Sequence, residues 1–479
     1  MRPVRTSFEA APFGTDHVRT RLRLEGQRVL SAQPAAATGA HPPDRAAWQM
    51  AAARGQQSGI APGRIGLFGL FGSGNSGNDG SLEAMIRFLR EVRPDAELVC
   101  FCACSAGADD VVARAFGLPA IPFALAKPEA SLLRILDRLS LRLPRQLASL
   151  ARAITLTGRV DLLIVPGTGI LDDFQESPLG MPLVLFGWCL AARLRGVRLA
   201  FVSIGAGPIR HPITRWLMKS AVALAHYRSY RDVISKTFME SIGLDTGKDA
   251  VYPDLAFKLP TPLSSHREGI EDRPLTVGVG VMAYYGWRNR DARGPAIYTA
   301  YAEKIAEFVL WLLDRGHVVR ILTGQVSDQR AVGDLVARVM AAKPALAPKR
   351  LLSEQSSSLH DLMRQIAQTD VVVATRFHNV VCALKLGKPT VAIGYAEKND
   401  VLMAEMGLDR FCQHIERLDV GRLIEQFTQL VASRAHYAAS IRGADAVYQE
   451  RLWRQDALLA SHLLFTDVTD RPPAWGSVR

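Results

Sequence analysis

Long apolar runs are missing from this sequence. The longest, around Pro182 to Ala192, is soon broken by Arg193 and Arg195, far short of the roughly 20 residues that cross a bilayer. A buried helix is expected there, and a membrane span is not. Cysteine is also scarce, with six in 479 residues. Cys100, Cys102 and Cys104 alternate along one apparent strand, which puts their side chains on one face about 7 Å apart. That geometry excludes a disulfide between neighbours, and no paired CxxC spacing suggests zinc. Buried free thiols in a reducing compartment are the expectation. A block of consecutive positive charge is missing too, as is any nucleic-acid motif, so no nucleic acid is expected as a partner. The formal net charge is nevertheless +12 and the pI about 9.6. That balance suits an anionic partner such as a phosphorylated substrate, an acidic polymer or a membrane surface. It also fits an Arg-rich composition without functional meaning, since the first 60 residues carry eight Arg and no Lys.

What is present is a repeated alternation of strand and helix. With 479 residues, 48% of them hydrophobic, the chain is too long for one ordinary domain, and two are expected. Residues 1–60 lack periodicity and a secretory apolar core, and read as a disordered extension. From Arg64, "RIGLFGL" reads as a buried strand, followed by a Gly-rich turn and a helix from about Ser81. "AELVCFCA", "VDLLIVPG", "RLAFVSIG" and "DAVYPD" continue as strands with helices between them. A polar, Pro-containing break covers 263–274. The alternation then restarts with "LTVGVGV", a helix ending at Gly316, "HVVRILTG", "SLHDLMRQIAQ", "VVVAT", "NVVCALKLG" and "PTVAIGY". Ser358 and Asp361 have capping-box spacing. This is an α/β chain: two doubly wound, Rossmann-like halves (61–262 and 275–420) facing across a cleft. Helices and a tail (421–479) follow, and the helices are expected to pack back across both halves.

In open parallel sheets, ligands bind beyond the carboxyl ends of the strands. "VVVATRFHN" puts Thr375, Arg376, Phe377 and His378 there, at a helix start with free N–H groups and a positive dipole end. Arg376 offers a planar fork for carboxylate or phosphate. His378 is a proton carrier whose pKa the helix terminus lowers and a bound dianion raises. The alternative is an Arg paired with a loop carboxylate and a capping His. "GSGNSGNDG" lets a backbone approach a phosphate or sugar closely, but lacks the Walker lysine. Asn75, Asn78 and Asp79 bring polar groups to it, with Asp79 a base or a helix cap. "VPGTGILDD" places Gly167, Thr168 and Gly169 before Asp172 and Asp173, a pair more consistent with capping than with a metal. "SIGAGP" places Gly205 and Gly207 after another strand. Arg231, beside a capping Asp232, points into the cleft, and Lys398 is either a phosphate contact or a solvated lysine.

The ordered series "GNSGNDG", "PGTGILDD", "GAGP", "YRDVIS", "PDLAF" and "TRFHNVVCALKLGKPTVAIGY" resembles the polysaccharide pyruvyl transferases over roughly Arg64 to Gly407. The resemblance implies a GT-B-like fold, with the acceptor on the first half and phosphoenolpyruvate on the second. It implies transfer of the enolpyruvyl carbons to two sugar hydroxyls as a cyclic ketal, with release of phosphate. His378 would be the general acid and Arg376 the anion contact, with Arg231 a second. Phe377, Lys398, Asn75, Asp79, Gly167, Thr168, Gly169 and Gly207 are the further candidates for substrate contact. Phosphoenolpyruvate is a co-substrate, and no cofactor or metal is expected. The implied acceptor is an exopolysaccharide or its lipid-linked repeat unit. The expected location is the cytoplasm, at the inner face of the membrane, with peripheral association. The sequence departs from the family pattern at "GNDGSLEA", where a shorter Gly-Asp-Glu-Ala run is usual, and at Thr168, which interrupts a Gly triplet. A nucleotide-sugar glycosyltransferase and a non-catalytic assembly subunit are the competing readings.

Overall fold

A computed structural model of the chain describes residues 62–103, 107–124, 143–174, 176–262, 273–288 and 291–465. The expected extension at 1–60, most of the break at 263–274 and Cys104 lie outside them.

Among the described residues the strands form two parallel sheets. The first contains β1 (Arg64–Phe68), β2 (Glu97–Cys102), β3 (Ala120–Pro122), β4 (Leu162–Pro166), β5 (Arg198–Ile204), β6 (Tyr227–Tyr230) and β7 (Ala250–Val251), in the order β3-β2-β1-β4-β5-β6-β7. The second contains β8 (Thr276–Gly280), β9 (Val318–Leu322), β10 (Leu351–Ser353), β11 (Val371–Ala374), β12 (Thr390–Gly394) and β13 (Cys412–His414), in the order β10-β9-β8-β11-β12-β13. Strand order reverses between β1 and β4 in one sheet and between β8 and β11 in the other. The loops after those four strands therefore diverge and leave a crevice beyond the sheet edge. Strands such as β4 and β11 are apolar along their whole length because helices cover both faces.

Helices α1 (Ser76–Val92) and α2 (Ala108–Phe116) cover one face of the first sheet. Helices α3 (Leu143–Thr157), α4 (Met181–Leu194) and α5 (Pro212–Ala223) lie side by side on the other. The expected buried helix at 182–192 is α4, and its Trp188 donates to the Phe123 carbonyl at 3.0 Å. Helix α6 (Val233–Ser241) is capped by Asp232. In the second half come α7 (Gly294–Asp314), α8 (Gln329–Ala342), α9 (Leu359–Ala367), α10 (Phe377–Lys385), α11 (Lys398–Glu405) and α12 (Val420–Ala432). One apolar cluster fills the α3–α5 side of the first sheet. The other begins between that sheet and α1 and runs without interruption through the whole second half. Cys100 and Cys102 are buried thiols that are not joined in a disulfide. No helix among the described residues is long and apolar enough to cross a membrane.

Helix α13 (Arg434–Leu459) ties the halves together. Its Tyr448 donates to Glu405 of the second half. Its Asp456 pairs with Lys258 at 2.7 Å, and buried Gln455 donates to Ser203 and Ser229 Oγ, each at 2.9 Å. The halves also meet directly. Asn75 bridges to Gln325, Ser76 N donates to the Gly324 carbonyl at 3.3 Å, and His360 lies 2.8 Å from the Glu83 carboxylate.

Two expectations need correction. Helix α1 starts at Ser76, not near Ser81, so most of the Gly-rich stretch is helix and not turn. Its glycines serve close packing between the halves. A Cβ on Gly77 would sit 2.0 Å from His378 Nδ1, and one on Gly80 would sit 2.3 Å from Leu359 Cδ1. Helix α8 and the short strands β3, β6, β10 and β13 were not anticipated. Gly333 interrupts the apolar pattern of α8, and β10 has only three residues, too few to show a period.

Candidate active site

Strand β11 delivers Thr375 to Arg376 into the crevice. Thr375 donates to the Gly280 carbonyl at 3.0 Å and meets the Tyr301 hydroxyl at 2.9 Å, which fixes the strand end. Arg376 occupies the N-cap position of α10 without a side-chain cap. Its guanidinium is not an open anion fork, as the sequence suggested. Nε and Nη2 close on the two oxygens of Asp328 at 2.8 and 2.7 Å. Asp328 is fully buried and also accepts from Ala283 N at 3.1 Å. Such a carboxylate is costly unless paired, and a bidentate guanidinium meets the need. Of the alternative reading, the Arg–carboxylate pair is observed, but no side-chain cap from His378 is, since Arg376 holds the N-cap position. The pair knits together the loops that follow β8, β9 and β11.

His378 lies beneath the start of α1, its ring against Gly77. Burial is the main cause that pulls its pKa down, to about 4. Asp254 resists the shift, and the nearby cations Arg231, Lys398 and Arg376 reinforce it. The imidazole is therefore neutral at neutral pH. Its Nε2 is buried, has no hydrogen-bond partner and lies 3.7 Å from Asp254 Oδ2. Arg231, on the loop after β6, places Nη1 3.3 Å from that same oxygen. Its guanidinium also stacks over the Phe377 ring at 4.5 Å. Lys398 Nζ lies 5.6 Å from the same ring and 5.1 Å from that of Tyr395, within cation–π range. Gly205 has no side chain because one would collide with the Arg231 guanidinium at 2.5 Å.

Arg231, Lys398 and Phe377 border a cavity of about 10 Å³ together with Asp254, Phe257 and Glu405. That space holds about one water. His378 does not line it but lies 3.7 Å from Asp254, which does. This cavity is too small for a substrate. Phe174 of the first half packs across the crevice, its ring 5.1 Å from Trp287 and 5.6 Å from Tyr395 of the second.

The two adjacent carboxylates divide. Asp173 accepts from Arg210 N, His211 N and, across the halves, Trp287 Nε1 at 3.0 Å. Asp172 stays by the cations. A Cβ on Gly169 would have Arg231 Nη2 at 3.5 Å and Asp172 Oδ2 at 3.8 Å. Burial raises the Asp172 pKa to about 6 despite the pull of Lys398 and Arg231.

Several sequence candidates lie away from the cavity. Asn75 caps α1 by accepting from Gly77 N at 3.1 Å. Asp79 folds back on Gly72 N at 2.8 Å, and burial raises its pKa to about 6. Gly167, at φ 48°, leaves room for Ser81, which donates to its carbonyl. Thr168 is buried, and Gly207 packs against Phe238. Sequence reasoning gave no role to Asp254 or Asp328. "PDLAF" does carry a trace of the former, a Pro-Asp pair ahead of a short apolar turn capped by that Asp. Asp328 shows only as an acid shortly beyond the end of β9.

The polysaccharide pyruvyl transferase family model matches residues 75–397. No curated protein matches the chain. Among solved structures, a UDP-GlcNAc 2-epimerase from Neisseria meningitidis shares 14% identity at a TM-score of 0.50, covering 82% of this chain and 99% of that one. A putative UDP-N-acetylglucosamine 2-epimerase from Listeria monocytogenes shares 12% at 0.52, covering 85% and 98%. A glycosyltransferase from Rickettsia africae shares 9% at 0.52, covering 84% and 99%. At such identities the likeness is one of fold, two facing Rossmann-like halves of the GT-B kind.

Proposed function

This chain belongs to the polysaccharide pyruvyl transferase family, and from that premise we propose that it moves the pyruvyl carbons of phosphoenolpyruvate onto two hydroxyls of a sugar. The product is a cyclic ketal, with phosphate released. The acceptor is a saccharide of an exopolysaccharide or its lipid-linked repeat unit, used in the cytoplasm at the inner face of the membrane. One observation carries the reading: Arg231 from the first half and His378 from the second converge on a single oxygen of Asp254, beside Lys398.

When the halves part, an incoming phosphoenolpyruvate offers carboxylate and phosphate to Arg231 and Lys398 in place of the protein's own carboxylates. Arg376, held by Asp328, shapes that edge and does not grip the anion. The substrate's negative charge raises the pKa of His378, so the imidazole acquires its proton with the ligand. His378 gives that proton to C3, C2 becomes electrophilic, and the first hydroxyl adds there. The second hydroxyl adds to C2 as the C2–O bond to phosphate breaks. Of the two protons the hydroxyls lose, one replaces that given by His378 and the other leaves with phosphate. In this reading Asp172, which lies beside Arg231, is the base that takes the first of them. General acid catalysis of this kind contributes about 10²- to 10⁴-fold.

The test has two arms. Phosphoenolpyruvate is expected to raise the melting temperature of the protein, and UDP-sugars are not; the reverse result overturns the reading. Incubation with phosphoenolpyruvate and an oligosaccharide library is expected to give phosphate release matched by ketal formation.

A further inference from the structure

The outer layer of the first half has an unusual charge pattern. Helices α3, α4 and α5 contain no Asp or Glu at all, yet carry Arg145, Arg152, Arg193, Arg215 and Lys219. Acids are favoured in the first turn of a helix by its dipole. On the opposite face of the same sheet the pattern is ordinary, with Asp79 opening α1 and Asp109 and Asp110 opening α2.

The same layer exposes large apolar side chains, four of them at one end and Leu194, the last residue of α4, at the other. Leu147 is 65% exposed, Leu179 42%, Ile213 54% and Trp216 57%. Each lies in the first two turns of its helix or just ahead of it. Because these helices return from the carboxyl edge of a parallel sheet to its amino edge, their first turns all lie at the carboxyl edge. The patch is knitted together: Gln146 Nε2 donates to the Leu179 carbonyl at 2.9 Å, and Phe186 of α4 lies 5.5 Å from Trp216 of α5. Exposed Arg210 and Arg215 flank it. The active-site loops after β4 and β6 leave from the same edge.

We propose that this end of the α3–α5 layer docks on an anionic lipid bilayer, with Leu147, Leu179, Ile213 and Trp216 entering the headgroup boundary. Single exposed apolar residues are ordinary. Four at one edge of a layer whose helices carry cations and no carboxylate match the two demands of an interfacial anchor, apolar tips and basic flanks, and the exposed Glu176 ahead of Leu179 is the acid that this edge does carry. Tryptophan suits that boundary because it is apolar with one polar edge. A second copy of the chain is the poorer occupant, because a twofold contact would bring the cationic layer against itself. Docking in this pose turns the crevice edge toward the membrane, where a lipid-linked acceptor would be presented. That consequence rests on the function proposed above, but the docking itself does not.

Vesicle co-sedimentation tests the surface with the whole chain and without phosphoenolpyruvate, so its result is independent of the catalytic reading. The protein is expected to sediment with vesicles of phosphatidylcholine mixed with phosphatidylglycerol and to stay in solution with phosphatidylcholine alone. Ile213→Ser with Trp216→Ser is expected to lower partitioning about tenfold or more, and Arg210→Gln with Arg215→Gln about fivefold per cation. All four side chains are exposed, and unchanged melting curves would show that the variants fold. No sedimentation with either vesicle, or equal sedimentation with both, overturns the proposal. So does a self-association that Ile213→Ser and Trp216→Ser abolish in the absence of lipid binding.

Discussion

Gly77→Ala puts the closed crevice to the test. The added methyl would stand 2.0 Å from His378 Nδ1, 2.2 Å from Cε1 and 2.5 Å from Cγ. The whole ring must therefore move by more than an ångström. It has little room, with Phe377 packed edge-on at 5.3 Å and the imidazole otherwise buried. Forced overpacking of this kind costs about 1–3 kcal/mol, whereas alanine in place of glycine in a helix gains at most about 1 kcal/mol. Parting the halves relieves the clash, so the cost falls on the closed form. The closed-to-open ratio should drop roughly five- to a hundred-fold, with little change in denaturant midpoint. Small-angle scattering of the ligand-free protein should show a larger radius of gyration than wild type, and kcat/KM should fall in step. If Gly77→Ala scatters and turns over like wild type, the imidazole is not packed against α1 and the site geometry argued here is wrong.

Other expectations follow from single contacts. His378→Gln should fold, yet lose about 10²- to 10⁴-fold in turnover. The same variant has a pH signature. The unfolded histidine binds its proton near 6.5 and the folded one near 4, so below pH 6.5 the unfolded state holds the extra proton. Wild-type stability should therefore be lost as pH falls from about 6.5 to 4, by on the order of 3 kcal/mol from this group. Urea titrations of wild type and His378→Gln at pH 7 and pH 4.5 should differ in that slope, and parallel slopes would rule the assignment out. Asp328→Asn strands the Arg376 guanidinium in the interior and should cost about 3–5 kcal/mol in urea unfolding, whereas Asp328→Leu with Arg376→Met should recover most of it. Gln455→Leu leaves Ser203 and Ser229 without their shared partner and should cost about 1–3 kcal/mol, read as a lower denaturant midpoint.

The alternation of apolar strands and amphipathic helices was legible because it is local. β1, β4, β5, β8, β11 and the helix after Arg376 all lie where the sequence pattern puts them. The pairing of Arg376 was not, because Asp328 reaches it from 48 residues away. The same holds for Asp254, which lies in the first half and comes within 3.7 Å of His378 of the second. The glycines at 77 and 80 were misread as turn formers because glycine signals either a bend or a close approach. Only the position of His378 and Leu359 across the crevice tells which. Cavity size was beyond reach from sequence, since its lining comes from side chains of both halves.

The apolar cluster that begins under α1 and continues through the second half has a consequence for how this enzyme can diversify. A protein whose two lobes own separate interiors can exchange one lobe for a relative's and keep folding. Here a graft at the lobe boundary would cut through a shared interior and expose oily surface on both pieces. New acceptor preferences should therefore arise in the crevice loops themselves, around Gly169, Phe174 and Trp287, and not by recombination of halves.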